Sequence, residues 1–194
     1  MKVLIKAPLS IFTGYGNDGI GLAEAFIRMG ADVVLQPTHV QAPLPKEVAE
    51  LLAKPVEAPF DLTIHHVDPG ALNSSETLKE SSGAFIGWSM WEYTNLLNHG
   101  KQDTFKEKWK HYDMVIGYDD VSVGAFKEYF DGPTPKLQGG YNPENWPVAE
   151  RDWFEDNFYF CMLGSLTVRK DPYLAIAAFT QLQNEHEDFK KYAR

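Results

Sequence analysis

The sequence predicts an α/β protein, a parallel sheet flanked by helices, with the first βα of a second unit of the same kind at its end. Three observations predict it. Apolar runs of strand length alternate with stretches of helical periodicity, a glycine-bearing loop separates the first strand from the first helix, and after a turn-rich interval the strand-then-helix pattern starts afresh near residue 158. Such alternation is the mark of a parallel sheet, because parallel neighbours need a long crossover connection.

Lys2-Val-Leu-Ile-Lys-Ala7 reads as a buried strand, Ser10 to Asn17 as the loop, and Asp18 to Met29 as a helix. Asn17 or Asp18 is the expected cap, Leu22, Ala25, Phe26 and Met29 fall at helical spacing, and Gly30 closes the helix. Ala31 to Leu35 is the second strand, which completes a βαβ unit and places any site at the carboxyl end of the sheet. A loop with three prolines, Pro37 to Pro45, leads to a short helix from Lys46 to about Lys54, ended by Pro55 and Pro59. Phe60 to His66 is the third strand and Gly83 to Ser89 the fourth. Asp103 to Tyr112 is amphipathic through Phe105, Trp109 and Tyr112, Met114 to Gly117 is the fifth strand, and Val121 to Phe130 is a helix. Lys136-Leu-Gln138 is expected as a short sixth strand.

From Gly139 to Asp156 turn formers accumulate, so the expected organisation is a first domain over 1–139, a linker over 140–157 and an incomplete second domain over 158–194. In the last of these, Phe158 to Leu163 reads as a strand, Gly164 to Arg169 as a loop, and Asp171-Pro172 as N-cap and first residue of a helix. A lone strand and helix do not make a domain.

Composition narrows the function classes. A net charge of −9 argues against a general nucleic-acid or anionic-membrane binder, since those rest on clustered Lys and Arg. The single cysteine, Cys161, excludes an intramolecular disulfide and fits a reducing, cytoplasmic setting. Neither a signal peptide nor an apolar run of membrane-spanning length is expected.

The loop sequence Gly14-Tyr-Gly16-Asn-Asp-Gly19 matches the dinucleotide fingerprint letter for letter, but its context does not. Pro8 to Thr13 separate strand from glycine, and the second strand runs out through Gln36 and Pro37 without the acid that takes a ribose hydroxyl. The expected role of Gly14 and Gly16 is to let the backbone approach a bulky polar ligand, its negative part near the helix N-terminus. At the end of the third strand stand His65, His66 and Asp68. Adjacent strand residues point to opposite faces, so the two imidazoles do not chelate one ion and no metal site is expected. After the fourth strand, Trp88 to Thr94 holds one carboxylate, Glu92, which is costly to bury unpaired and so is exposed or engaged.

Taken in this order, the residues resemble a retaining glycosyltransferase of the two-domain GT-B type, most like its large family-four group. The resemblance rests on Gly14-Tyr-Gly16 before Leu22-Ala-Glu-Ala-Phe-Ile-Arg-Met-Gly-Ala-Asp-Val33, on Trp88-Ser-Met-Trp-Glu-Tyr-Thr94, on Asp113-Met-Val-Ile-Gly117 and on Gly139-Gly-Tyr-Asn142. Its most specific segment is Gly164-Ser-Leu-Thr-Val-Arg-Lys-Asp-Pro172, leading into Ala175-Ile-Ala-Ala-Phe179, similar to the family's G-R-L-x-x-x-K-G ahead of a helix. Ser165 stands at the family's arginine position and Asp171 at its second glycine, while Lys170 matches the lysine and Arg169 lies beside it.

The resemblance implies a Rossmann-like, acceptor-side domain followed by the start of a Rossmann-like donor-side domain. It implies a nucleotide-sugar donor held at its phosphates by Gly14, Gly16, Arg169 and Lys170, with the leaving group neutralised by protein cations and no metal or other cofactor. Glu92 then contacts the reacting sugar, and Tyr15, His65, His66 and Trp91 line the side of an unidentified acceptor. The family's E-x7-E segment has no counterpart before Arg194, so the chain is expected to be an incomplete and inactive part of the enzyme. The rival expectation is a non-catalytic nucleotide- or carbohydrate-binding domain. A dehydrogenase is disfavoured by the misplaced glycines and the absent ribose acid.

Overall fold

A computed structural model describes residues 1–91, 102–140 and 171–192. The chain divides into two compact units, Met1–Pro143 and Glu144–Arg194. In chain order the first runs β1 (Lys2–Lys6), β2 (Pro8–Ser10), α1 (Gly14–Arg28), β3 (Asp32–Leu35), β4 (His39–Gln41), α2 (Lys46–Leu51), β5 (Phe60–His66), α3 (Glu76–Glu80), β6 (Ser82–Ser89), α4 (Gln102–Trp109), β7 (Met114–Gly117) and α5 (Asp120–Lys127).

Five strands form one sheet in the order β3-β1-β5-β6-β7, and every pairing is parallel. This is the Rossmann-like α/β architecture expected from the sequence. Alternate side chains divide between the faces. Val3, Ile5, Val33 and Leu35 pack with Ile20 and Ala23 of α1 and with Val48 and Leu51 of α2, while Leu4, Val34 and Phe60 meet Leu78 of α3 on the other side. On that second side, Phe85 and Val115 are covered by Phe105 and Trp109 of α4 and by Ala125 and Phe126 of α5. Each fully buried aliphatic side chain of this kind contributes about 1.5–3 kcal/mol, so near-continuous apolar strands are what a sheet covered on both faces requires. The chain steps from β1 to β3 on one side and then crosses back to β5 on the other. The strand order therefore reverses between β1 and β5, and the crevice at such a switch point opens beyond the carboxyl ends of the strands.

The first helix begins earlier than its capping residues suggest. It starts at Gly14, capped by the Thr13 hydroxyl, which accepts from the Gly16 amide at 3.1 Å; Asn17 and Asp18 lie inside it. Of the segment read as a loop, only Ile11 to Thr13 is a turn; Ser10 ends β2 and Gly14 to Asn17 form the helix's first turn, and the cause is packing. A Cβ on Gly16 would fall 2.6 Å from the Ser10 backbone, and one on Gly19 would fall 2.3 Å from the Pro8 carbonyl oxygen. Both glycines thus allow α1 to lie directly on β2, which pairs in parallel with β4 as a separate two-stranded sheet. Gly19→Ala is expected to destabilise the protein by about 2–3 kcal/mol. In contrast, Gly21→Ala on the same helix, where a Cβ meets nothing within 4 Å, is expected to stabilise it by up to about 1 kcal/mol. Urea midpoints of the two variants check the opposed signs.

The expected sixth strand is not formed. Lys136 makes an isolated parallel bridge to Gly117, and the segment beside β7 offers carbonyls from Pro133 and Pro135 to Val115 and Gly117. Proline has no N–H with which to return such a bond, so the ladder does not extend.

The described part of the second unit consists of α6 (Pro172–Glu185) and α7 (Glu187–Tyr192). As expected, Asp171 caps α6, its carboxylate accepting from the Leu174 amide at 3.1 Å, with Pro172 as the first helical residue. Asp171 holds a left-handed backbone, φ 40°, a region that glycine occupies without steric cost. The expected strand with Cys161 and the loop that follows it lie outside the described residues. Among the described residues no helix is long and apolar enough to cross a membrane.

Candidate functional site

The carboxyl ends of β5, β6 and β7 meet the first two turns of α1, and the side chains gathered there form an aromatic cluster around one carboxylate. Register explains the gathering. His66 pairs with Trp88, and Trp88 pairs with Ile116, so His66, Trp88 and the residue two beyond Ile116, Tyr118, point to the face that α1 covers. The rings follow one another: Tyr15 to His66 at 5.1 Å between centroids, His66 to Trp88 at 5.1 Å, and Trp88 to Tyr118 at 5.2 Å with only 22° between their planes. Tilted and offset contacts of this type are favoured by the ring quadrupoles.

Asp18 sits over this cluster from the second turn of α1. The Tyr118 hydroxyl donates to its Oδ2 at 2.7 Å, and His66 Nε2 faces the same oxygen at 3.8 Å. His66 Nδ1 lies 3.0 Å from the Trp88 carbonyl oxygen. A carbonyl oxygen only accepts, so Nδ1 carries a proton. Tyr15 ties α1 to the end of β6: its hydroxyl donates to the Met90 carbonyl at 2.8 Å and accepts from the Met90 amide at 3.1 Å. Burial pushes the phenols of Tyr15 and Tyr118 above the usual tyrosine range, and for Tyr118 the neighbouring Asp18 adds to the rise. Both therefore remain neutral hydroxyl donors.

The residues expected to form a site are distributed unevenly. Tyr15 and His66 belong to the cluster. Gly14 is the first residue of α1, exposed, with open space where a side chain would be, whereas the close approach at Gly16 is to Ser10. The amides of Gly14 and Tyr15 have no intrahelical acceptor, and no acidic side chain occupies this first turn. His65 points to the opposite face and is buried against Tyr112, its Nδ1 2.7 Å from the phenol oxygen. Burial, and next the charge of Lys6, lowers its pKa to about 3. Trp91 is part of the core with Phe105 and Trp109, its backbone held by the Ser122 hydroxyl. His65 and Trp91, expected to line a ligand, are thus core residues, because the parity of β5 and the packing of α4 and α5 carry them inward. Glu92, Arg169 and Lys170 lie outside the described residues.

Two residues of the cluster, Asp18 and Tyr118, were not expected. Asp18 carries the signature of a helix cap and Tyr118 that of a residue leaving a strand, and only the strand order brings them together across a separation of 100 positions. Gly139 joins them, since a Cβ there would fall 3.0 Å from Tyr118 Cε1 and 3.6 Å from Asp18 Oδ1. Among the described residues no group of three or more His, Cys, Asp or Glu is placed to hold a metal ion. Comparison of the sequence with protein-family models and with curated proteins finds no match in either.

Proposed function

We propose that the chain is the acceptor-side domain and the opening of the donor-side domain of a GT-B glycosyltransferase, which transfers a sugar from a nucleotide-sugar donor to an acceptor, with retention of configuration. The observation that carries this reading is the carboxyl edge of the parallel sheet. There the first turn of α1 presents two amides without intrahelical acceptors beside an aromatic cluster that holds one carboxylate. Helix N-termini favour anions, and aromatic rings suit the C–H faces of sugars, so the edge offers both chemistries that such a reaction brings together.

A second feature supports it. Asp171 stands where the family sequence pattern has glycine, and its backbone lies in the left-handed region that glycine favours. In this reading Arg169 and Lys170 neutralise the departing diphosphate without a metal, Glu92 contacts the transferred sugar, and the amides of Gly14 and Tyr15 are available to an anionic part of the ligand. The single cysteine accords with a cytoplasmic setting.

The test is release of nucleoside diphosphate from a panel of uridine- and guanosine-diphosphate sugars by the protein produced from its complete reading frame. Release from at least one donor is expected, with Lys170→Ala lowering kcat/KM about 100-fold, the scale on which a single transition-state contact acts. Absence of release from every donor, or full activity in Lys170→Ala, refutes the reading.

A further inference from the structure

Strand β3 forms one edge of the five-stranded sheet, and its amino end lies at the opposite end of that sheet from the aromatic cluster. The face of β3 that carries Val33 and Leu35 is covered by α1 and α2, which do not close over its first residues. At that point α1 has ended at Arg28, the chain reverses through Gly30 at φ 74°, and Ala31 contributes only a methyl group. What remains is a groove of about 320 Å³ with a floor of Ile27, Ala31, Val33 and Leu51. Its size and apolar lining fall within the range of small-molecule sites, roughly 300–1,000 Å³. Glu47, Glu50 and Lys54 stand around it, all three exposed.

The charges at this rim do not cancel. Lys54 is already engaged: its Nζ donates to Asp32 Oδ1 at 2.9 Å and to the Val33 carbonyl oxygen at 3.2 Å, and the bond to Asp32 holds that carboxyl below the usual range. Among the described residues Glu47 forms no ion pair, and Glu50 meets only the exposed Lys46 ammonium, at 3.8 Å. An exposed pair of this kind contributes little. Glu47 and Glu50 are three positions apart on α2, so their carboxylates share the face of the helix that borders the groove.

We propose that this groove binds a small amphipathic amine, its hydrocarbon body on Ile27, Ala31, Val33 and Leu51 and its ammonium between the carboxylates of Glu47 and Glu50. Charge and apolarity together select that class. A metal ion gains nothing from a hydrocarbon floor, and an anion is repelled at the rim, whereas an organic cation satisfies both parts. The site is separate from the carboxyl edge of the sheet and does not depend on the sugar-transfer reading.

The experiment is an NMR titration of the 194-residue protein with hexylammonium, hexanol and hexanoate, which share one hydrocarbon body and differ in the charge of the head, read at the methyl groups of Ile27, Val33 and Leu51. Hexylammonium is expected to shift these methyls saturably and to bind about fivefold more tightly than hexanol, with hexanoate weakest. Shortening hexylammonium to butylammonium is expected to weaken binding by up to about fourfold per methylene removed. The double variant Glu47→Gln, Glu50→Gln is expected to bring hexylammonium to the affinity of hexanol and to leave hexanol unchanged, and raising the salt from about 10 mM to about 500 mM is expected to do the same to the native protein. Ala31→Leu fills the floor and is expected to weaken all three probes. Both glutamates are exposed, so the glutamine variant keeps the fold and decides the matter even where Ala31→Leu does not fold.

Three results overturn the proposal: no shift at these methyls with hexylammonium at tens of millimolar, equal affinity for hexylammonium and hexanoate, or an unchanged hexylammonium affinity in the glutamine variant.

Discussion

Trp109→Ala is expected to cost about 3–5 kcal/mol of stability, the range for truncating a fully buried aromatic residue. Trp109 is entirely inaccessible and lies edge-on to Phe105 at 5.4 Å and to Phe126 at 5.5 Å, so its loss leaves a cavity lined by α4, α5 and the sheet. The indole also carries a penalty, because its Nε1 is buried with no hydrogen-bond partner. Phenylalanine removes that unpaired N–H together with part of the volume. An unsatisfied buried donor costs about 1–3 kcal/mol, so the two terms offset and Trp109→Phe is expected within about 1 kcal/mol of the native protein. Urea unfolding followed by far-UV circular dichroism measures both. A loss below about 1 kcal/mol in the alanine variant would show that α4 does not seal the core, since every buried-aromatic truncation of this type exceeds it.

Acid is expected to destabilise the fold well before the carboxylates titrate, through His65. Burial holds its folded pKa at about 3 against an ordinary 6.5, so between those values the unfolded chain binds one proton more than the native protein. Stability then rises with pH across this window. It is complete above pH 6.5 and is lost as the pH falls toward 3, at a slope approaching about 1.4 kcal/mol per pH unit and a total on the order of 5 kcal/mol. Tyr112 fixes the neutral form: its phenol, raised above the usual range by burial, keeps its proton and has it to give to His65 Nδ1. His65→Gln retains an acceptor for Tyr112 and has no titration. Its urea midpoint is expected to stay level from pH 6.5 to about 4.5 while that of the native protein falls, and parallel curves would remove His65 as the cause.

The sequence made the sheet readable because its strands are covered on both faces. Val3 to Ile5, Val33 to Leu35 and Val115 with its neighbours are apolar runs that only burial explains, and their spacing by helical segments forces a parallel arrangement. The start of α1 was not readable. Gly14-Tyr-Gly16 has poor helix propensity, and Asn17 and Asp18 are strong capping types, so local preference pointed four residues too far along. What overrides it is the contact of Gly16 and Gly19 with β2, and no local pattern reports a contact of that kind.

The three-residue strands β2 and β4 escaped for a related reason: one begins with proline, and every residue of the other is exposed, so neither shows an alternation of burial. Of the candidate site, the position at the carboxyl edge followed from the βαβ pattern, and Tyr15 and His66 lie in the cluster. Asp18 and Tyr118 did not stand out, because a helix residue and a strand exit acquire their chemistry only when the strand order sets them face to face.

The seating of α1 on β2 makes the two flanks of the cluster differ in compliance. On one flank, backbone rests on backbone at Gly16 and Gly19, with no side-chain torsion between them to absorb a push. On the other, the helix is fastened to the exit of β6 by the Tyr15 hydroxyl, which swings on two torsions. A displacement of α1 is therefore taken up first at the β6 exit, through the Tyr15 torsions, while its contact with β2 acts as the stiff pivot.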